Sequence, residues 1–222
     1  MSAAPAERRA APKPAGVPSG DRPTYTSGEG LRLGVFGGSF DPVHNAHVAL
    51  ASVALAELRL DELLWVPAGQ PWQKQRHLTS ANDREAMVRL AIEGEPRFTL
   101  SRIELERSGA SFTIDTVRVL QAARPGAQWF LVIGQDQYAG FHTWHGWREL
   151  LGLVTLAIAD RPDAQHAVDP QVSSAAHAAV SLPMMDVSST DIRERVMRGQ
   201  GILDLVPAAV ARYIARHDLY RD

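Results

Sequence analysis

The chain has 222 residues, 45% of them hydrophobic and 22% charged, with a formal net charge of −2 and no cysteine. Such a chain can bury a substantial core without staples. The lack of cysteine excludes a disulfide framework, a thiolate zinc site and a cysteine nucleophile, and fits a reducing cytoplasm. No apolar run approaches the roughly 20 residues a membrane-spanning helix needs, and the charge balance gives no reason to expect nucleic acid; the expected partners include neither membrane nor nucleic acid.

Residues 1–30 are rich in Ala, Pro, Gly and Ser and carry Arg8, Arg9 and Lys13 without an apolar stretch beside them. Burial there cannot offset the entropy of ordering, so the segment reads as a disordered extension, not a secretory signal. From residue 31 to 222 the pattern is that of a folded domain. Leu31 to Phe36 is an apolar strand running into Gly37-Gly38, and His47 to Leu60 has helical periodicity. Leu63 to Val66 is a second strand stopped by Pro67. Strand, helix, strand is a βαβ unit, which implies a parallel sheet with a right-handed crossover.

The alternation continues. Helices are expected at Asn82 to Glu93 and Thr113 to Ala123, and extended chain at Phe98 to Glu106 and Trp129 to Ile133. Short helices fill Gln135 to Leu151, followed by strands at Val154 to Ala159 and Ala179 to Leu182, and by closing helices at Thr190 to Arg198 and Pro207 to His217. The fold class is therefore α/β, a doubly wound parallel sheet with a small helical C-terminal part, its ligands beyond the carboxyl ends of the strands.

Two segments carry chemistry. In Gly37-Gly38-Ser39-Phe40-Asp41-Pro42-Val43-His44-Asn45-Ala46-His47, glycines after a strand let the backbone turn sharply and approach a ligand closely. The helix that follows offers unpaired N–H groups and a positive dipole end, a seat for phosphate. His44 and His47, three apart, share one face of the first turn and can donate hydrogen bonds to developing oxyanion charge. An isolated His-x-x-His is more often a pair of surface or capping histidines; the surrounding motif reverses that weighting. The spacing fits neither a P-loop nor the Gly-x-Gly-x-x-Gly of a dinucleotide-binding dehydrogenase. A metal site built from His44, His47, His142 and His145 has no carboxylate spaced to complete it, so no protein metal site is expected.

In the second segment, Val187-Ser188-Ser189-Thr190-Asp191-Ile192-Arg193, hydroxyls stand immediately before a helical pattern. Capping explains them, with Asp191 and Glu194 resembling a capping box. It does not explain Arg193 one turn inside, where a guanidinium can fork onto phosphate oxygens.

The first segment resembles the nucleotidyltransferase superfamily signature and, within it, the nicotinate-nucleotide adenylyltransferases, with Ala46 where that family usually has Gly. The second resembles the family's Ser-Ser-Thr-x-Ile-Arg triphosphate motif. The likeness runs from Leu31 to Tyr220 and implies a Rossmann-like nucleotidyltransferase fold. It also implies transfer of the adenylyl group of ATP to nicotinate mononucleotide, giving nicotinate adenine dinucleotide and pyrophosphate in NAD biosynthesis, with Mg²⁺ accompanying ATP. His44, His47 and Arg193 are the expected catalytic groups. Gly37, Gly38, Ser39, Asp136, Ser188, Ser189 and Thr190 join them around ATP.

For the acceptor, Ser111-Phe112-Thr113-Ile114-Asp115-Thr116 resembles the family's Ser-Tyr-Thr-x-Asp-Thr. It puts Thr113 at a helix start that either takes the nicotinate carboxylate or is simply capped. Trap of the flat pyridinium falls to Trp144 by resemblance, with Trp147 read as the core face of a short helix. Lys74, in the Pro-rich loop after the second strand, either reaches a phosphate or is solvated. A sibling enzyme acting on nicotinamide mononucleotide or phosphopantetheine, and a non-catalytic nucleotide-binding module, are the alternatives; the sequence is compatible with a monomer or a homo-oligomer.

Overall fold

The computed structural model describes residues 30–69, 78–160, 167–181 and 185–221. The expected disordered extension lies outside these residues but for Gly30, and Lys74 lies outside them too. Six strands, β1 (Arg32–Gly38), β2 (Glu62–Pro67), β3 (Phe98–Leu100), β4 (Gln128–Ile133), β5 (Thr155–Asp160) and β6 (His177–Ser181), form one sheet in the order β3-β2-β1-β4-β5-β6. Every pairing is parallel. The connections are α1 (Asn45–Glu57), α2 (Ala81–Ile92), α3 (Thr113–Ala123), α4 (Gln135–Ala139), α5 (Trp147–Leu153) and α6 (Pro170–Ser173); α7 (Ser189–Met197) and α8 (Ala208–Arg216) close the chain.

Period-two alternation explains why both sheet faces are covered. On one face Phe36, Leu63, Trp65, Phe130, Val132 and Ala157 meet α1, α2, α7 and α8 through Leu50, Met87, Ile192 and Ile214. On the other, Leu33, Val35, Leu64, Leu131, Ile133 and Leu156 meet α3, α4 and α5 through Val117, Tyr138 and Leu150. Strands buried on both faces read as near-continuous apolar runs, which is the sequence pattern seen. The C-terminal helices thus pack on the sheet itself, with α8 against α2.

Two expectations need correction. Extended chain was expected to Glu106, but β3 stops at Leu100, because its one neighbour β2 ends at Pro67 and the last ladder contact is Ser101 N–H to the Trp65 carbonyl, 2.8 Å. Beyond it residues 103–109 turn back on themselves. The short helix α6 was not foreseen, although Asp169 caps it through Gln171 N–H at 2.8 Å and Pro170 begins it, a recognisable start signal. Among the described residues no helix is long and apolar enough to cross a membrane.

Strand order places the ligand site. β1 lies between β2 and β4, so the connections leaving β1 and β4 diverge and open a crevice at the carboxyl edge, the topological switch point of a doubly wound sheet.

Candidate active site

The segment leaving β1 turns at Phe40, whose φ is 47°, while neither Gly37 nor Gly38 has positive φ. The glycines were expected to make this turn; they serve close approach instead. A Cβ at Gly38 would lie 2.9 Å from the Phe40 ring, and Gly37 borders the cleft. A left-handed non-glycine residue costs roughly 1–3 kcal/mol. That cost is met by burial, since Phe40 is 1% exposed and its ring lies 5.5 Å from Phe36 and 5.2 Å from Trp65. Beneath the segment, the buried Arg84 donates from Nη1 to the Ser39 carbonyl at 3.0 Å and from Nε to the Thr79 carbonyl at 3.1 Å.

His44 is the N-cap of α1 and His47 its third residue, and their rings stack at 3.6 Å and 24°. The backbone N–H of His44 donates to His47 Nδ1 at 3.2 Å. Nδ1 is therefore the acceptor nitrogen, and neutral His47 carries its proton on Nε2. The edge of the Phe40 ring meets His47 at 5.2 Å. No acidic residue stands in the first turn of α1, so its positive end keeps its attraction for anions.

The hydroxyls before α7 are each engaged. Ser188 is the N-cap, its Oγ accepting from Asp191 N–H at 3.1 Å. The resemblance of Asp191 and Glu194 to a capping box does not hold: they pair instead with Arg195 and Arg198, at 3.1 and 2.9 Å. Ser189 Oγ donates to the Pro42 carbonyl at 2.9 Å. Arg193 donates from Nη1 to the Asp41 carbonyl at 2.7 Å and from Nη2 to Thr190 Oγ1 at 3.0 Å. The two segments, remote in sequence, are thus stitched backbone to side chain.

Tyr220 closes the arrangement from below, its hydroxyl donating to Asp41 Oδ1 at 2.8 Å, with Asp41 wholly buried. Burial and the Asp41 charge push the Tyr220 phenol far above its usual range, so it remains a donor.

At the other end of the cleft α3 begins at Thr113, behind an N-cap, Phe112, whose side chain makes no cap hydrogen bond. A phenyl ring has no acceptor to offer, which removes the reading of this start as side-chain capped. Trp144 stacks on Phe141 at 5.0 Å and 30°, and His145 lies 4.3 Å from the Phe112 ring. Trp147 packs on the core face, as expected. Asp136 lies in the first turn of α4. The exposed His142 turns Nδ1 to the Ala139 carbonyl at 3.2 Å. Among the described residues no three His, Asp or Glu side chains gather as a metal cage.

Gly37, Gly38, Ser39, His44, His47, Thr113, Asp136, Trp144, Ser188, Ser189, Thr190 and Arg193 all border one cavity of about 850 Å³. Sequence reasoning assigned no site role to Glu104, Ser111, Thr116 and His145, which also line the cavity, nor to Tyr220 beneath it. Ser111 and Thr116 flank Thr113 in a motif already singled out and could have been found there. Glu104 was hidden by reading its segment as a strand, and Tyr220 gives no local signal.

A family profile described as cytidylyltransferase-like matches residues 35–195. A protein of Methylibium petroleiphilum named "Probable nicotinate-nucleotide adenylyltransferase" is 51% identical over 195 residues, covering 85% of this chain and 92% of the relative. One of the same name from Bordetella petrii is 49% identical, covering 86% and 99%. Among solved structures, the Plasmodium falciparum nicotinic acid mononucleotide adenylyltransferase complexed with NaAD superposes with a TM-score of 0.72 at 19% identity, covering 86% of this chain and 97% of that one. That likeness is one of fold.

Proposed function

The chain belongs to the nicotinate-nucleotide adenylyltransferase family of cytidylyltransferase-like domains, and from that membership we propose how its residues divide the work. The enzyme transfers the adenylyl group of ATP to nicotinate mononucleotide, yielding nicotinate adenine dinucleotide and pyrophosphate for NAD biosynthesis. In our reading a 5′-phosphate oxygen of the mononucleotide attacks the α-phosphorus in line. The bond from the α-phosphorus to its bridging oxygen breaks, and pyrophosphate leaves with that oxygen.

No protein nucleophile takes part, so positioning and charge stabilisation carry the rate. His47, its Nδ1 engaged by backbone, donates from Nε2 to the phosphate oxygens, with His44 stacked beside it. Arg193, braced on Asp41 and Thr190, takes the leaving β and γ phosphates. The starts of α1 and α7 add backbone N–H groups. Gly37, Gly38 and Ser39 allow close approach, and Asp136 contacts the nucleotide. The divalent cation that the reaction uses with ATP we take to be Mg²⁺, arriving as the nucleotide complex. Mg²⁺ keeps most of its waters and binds substrate phosphates, in keeping with a cleft of imidazoles, hydroxyls and guanidinium.

The acceptor lies at the α3 end, its carboxylate on Thr113 and its ring on Trp144. Lys74 we assign to the acceptor phosphate on the resemblance alone. We place the enzyme in the cytoplasm.

The observation that carries this reading is that two helix starts, bearing His44 and His47 on one and Arg193 on the other, border the same cavity at the switch point of the sheet. The test is pyrophosphate release from ATP with nicotinate mononucleotide, with nicotinamide mononucleotide and with phosphopantetheine in parallel. Preference for the acid supports the reading; faster turnover of either other acceptor, or ATP binding without turnover, overturns it.

A further inference from the structure

Glu104 is a carboxylate buried to 7% exposure beside the acceptor end of the cleft. Burial raises its pKa above the usual value, opposed by hydrogen bonds from Thr116 and Ser111 and by the charge of Arg107. Gly69 N–H donates to Ser111 Oγ at 3.2 Å, and the Ser111 hydroxyl hydrogen-bonds Glu104. From the other side Arg107 Nη1 donates to Thr116 Oγ1 at 3.1 Å, and Thr116 Oγ1 donates to Glu104 Oε1 at 2.8 Å, in preference to the Phe112 carbonyl at 3.5 Å.

A hydroxyl has one proton. Each here accepts from one partner and turns its proton to the carboxyl group, which must receive from both. Ser111 and Thr116 lie on either side of Thr113 in the chain, Ser111 just before α3 and Thr116 within it. The backbone is tight as well, since a Cβ at Gly69 would collide with the Glu104 carbonyl oxygen. The segment leaving β2, the turn after β3 and the start of α3 are thereby tied to one carboxylate.

We propose that Glu104 is the positioning residue of the acceptor pocket: by receiving the Ser111 and Thr116 hydroxyls it fixes the start of α3, and with it Thr113, at the place where the acceptor carboxylate is recognised. This rests on the assignment of the acceptor to the α3 end. Glu104 touches no reacting atom; it acts through Thr113 and sets selectivity for the acid over the amide.

The experiment compares Glu104→Gln, Thr116→Val and Thr116→Ser with the parent in steady-state pyrophosphate release, using nicotinate and nicotinamide mononucleotides as acceptors. Glutamine conserves shape but offers its amide to one hydroxyl as a donor, leaving that proton unreceived. A hydrogen bond to a charged group contributes about 1.5–3 kcal/mol, so Glu104→Gln and Thr116→Val raise KM for the acid roughly ten- to a hundredfold. KM for ATP stays unchanged and the preference for acid over amide narrows. Thr116→Ser, which retains the hydroxyl, behaves as the parent.

Parental acceptor KM in both Glu104→Gln and Thr116→Val overturns the proposal, as does a parallel rise in KM for ATP, the mark of general loosening. Should Glu104→Gln fail to fold, the contrast between valine and serine at 116 decides. A parent that does not turn over the acid defeats the assignment of function itself; a parent that does, with indifferent variants, defeats this inference alone.

Discussion

The guanidinium of Arg193 donates to the carbonyl oxygen of Asp41 at 2.7 Å, joining residues 152 positions apart. That contact brings the α7 start against the segment that carries His44 and His47, so that imidazoles and guanidinium face one cavity. It also makes Arg193 a brace for the loop, beside the phosphate role we propose for it. Lysine at 193 keeps the charge but cannot reach Asp41 and Thr190 together with a planar fork. Arg193→Lys is expected to raise KM for ATP and lower kcat, together by roughly tenfold or more in kcat/KM. Parental kinetics with ATP would remove Arg193 from the triphosphate site.

His47 receives the His44 backbone N–H on Nδ1, so its working nitrogen is Nε2. Glutamine places its amide nitrogen near that position and alanine places nothing there. Loss of one transition-state hydrogen-bond donor costs on the order of 10²–10³ in turnover. His47→Ala should show that loss, and His47→Gln should recover part of it. Equal activity of the two variants in pyrophosphate release would contradict the donor role.

Trp144 rests on Phe141 at 5.0 Å and faces the cleft. Stacking of a flat heterocycle on an aromatic side chain contributes about 1–3 kcal/mol. Trp144→Ala should therefore raise KM for the mononucleotide by about one to two orders of magnitude, with Trp144→Phe between it and the parent and KM for ATP unmoved. A change confined to ATP would place the pyridine ring elsewhere.

Tyr220 gives its hydroxyl to the buried Asp41. Tyr220→Phe leaves the ring and removes the donor, at a cost of about 1.5–3 kcal/mol for a hydrogen bond to a charged acceptor. Chemical denaturation should show this as a lower midpoint with an unchanged slope. Identical midpoints for variant and parent would mean that Asp41 is satisfied without Tyr220.

The Glu104 carboxyl has a folded-state pKa raised by burial. A fold that favours the protonated form gains stability from this group at low pH and loses it as pH rises through the raised value. Ionising Glu104 therefore costs stability, while on our proposal the ionised form is the one that orders the acceptor pocket. Relative to the parent, Glu104→Gln should gain thermal stability as pH rises through that range. The parent's KM for nicotinate mononucleotide should climb as pH falls through it, toward that of the variant. Dividing by the variant's profile cancels the titration of the substrate phosphate and of groups common to both proteins. A flat ratio across the acid limb would rule out Glu104 as the titrating group.

Much of this was legible in the sequence because the signals are local. Short continuous apolar runs marked the strands, and hydroxyls ahead of a helical pattern marked the α7 start, with Ser188 as its cap. The motif around His44 and His47 and the one ending at Arg193 each marked a helix start within a few residues. Only the resemblance put the two motifs around one nucleotide; residue spacing could not say that they meet, that Arg84 is buried under Ser39, that Phe40 and not a glycine makes the turn, or that Glu104 borders the cavity and Tyr220 lies beneath it. Those are pairings between segments far apart in the chain, brought together by the order of the strands. A buried carboxylate looks like a surface one until the fold supplies what surrounds it.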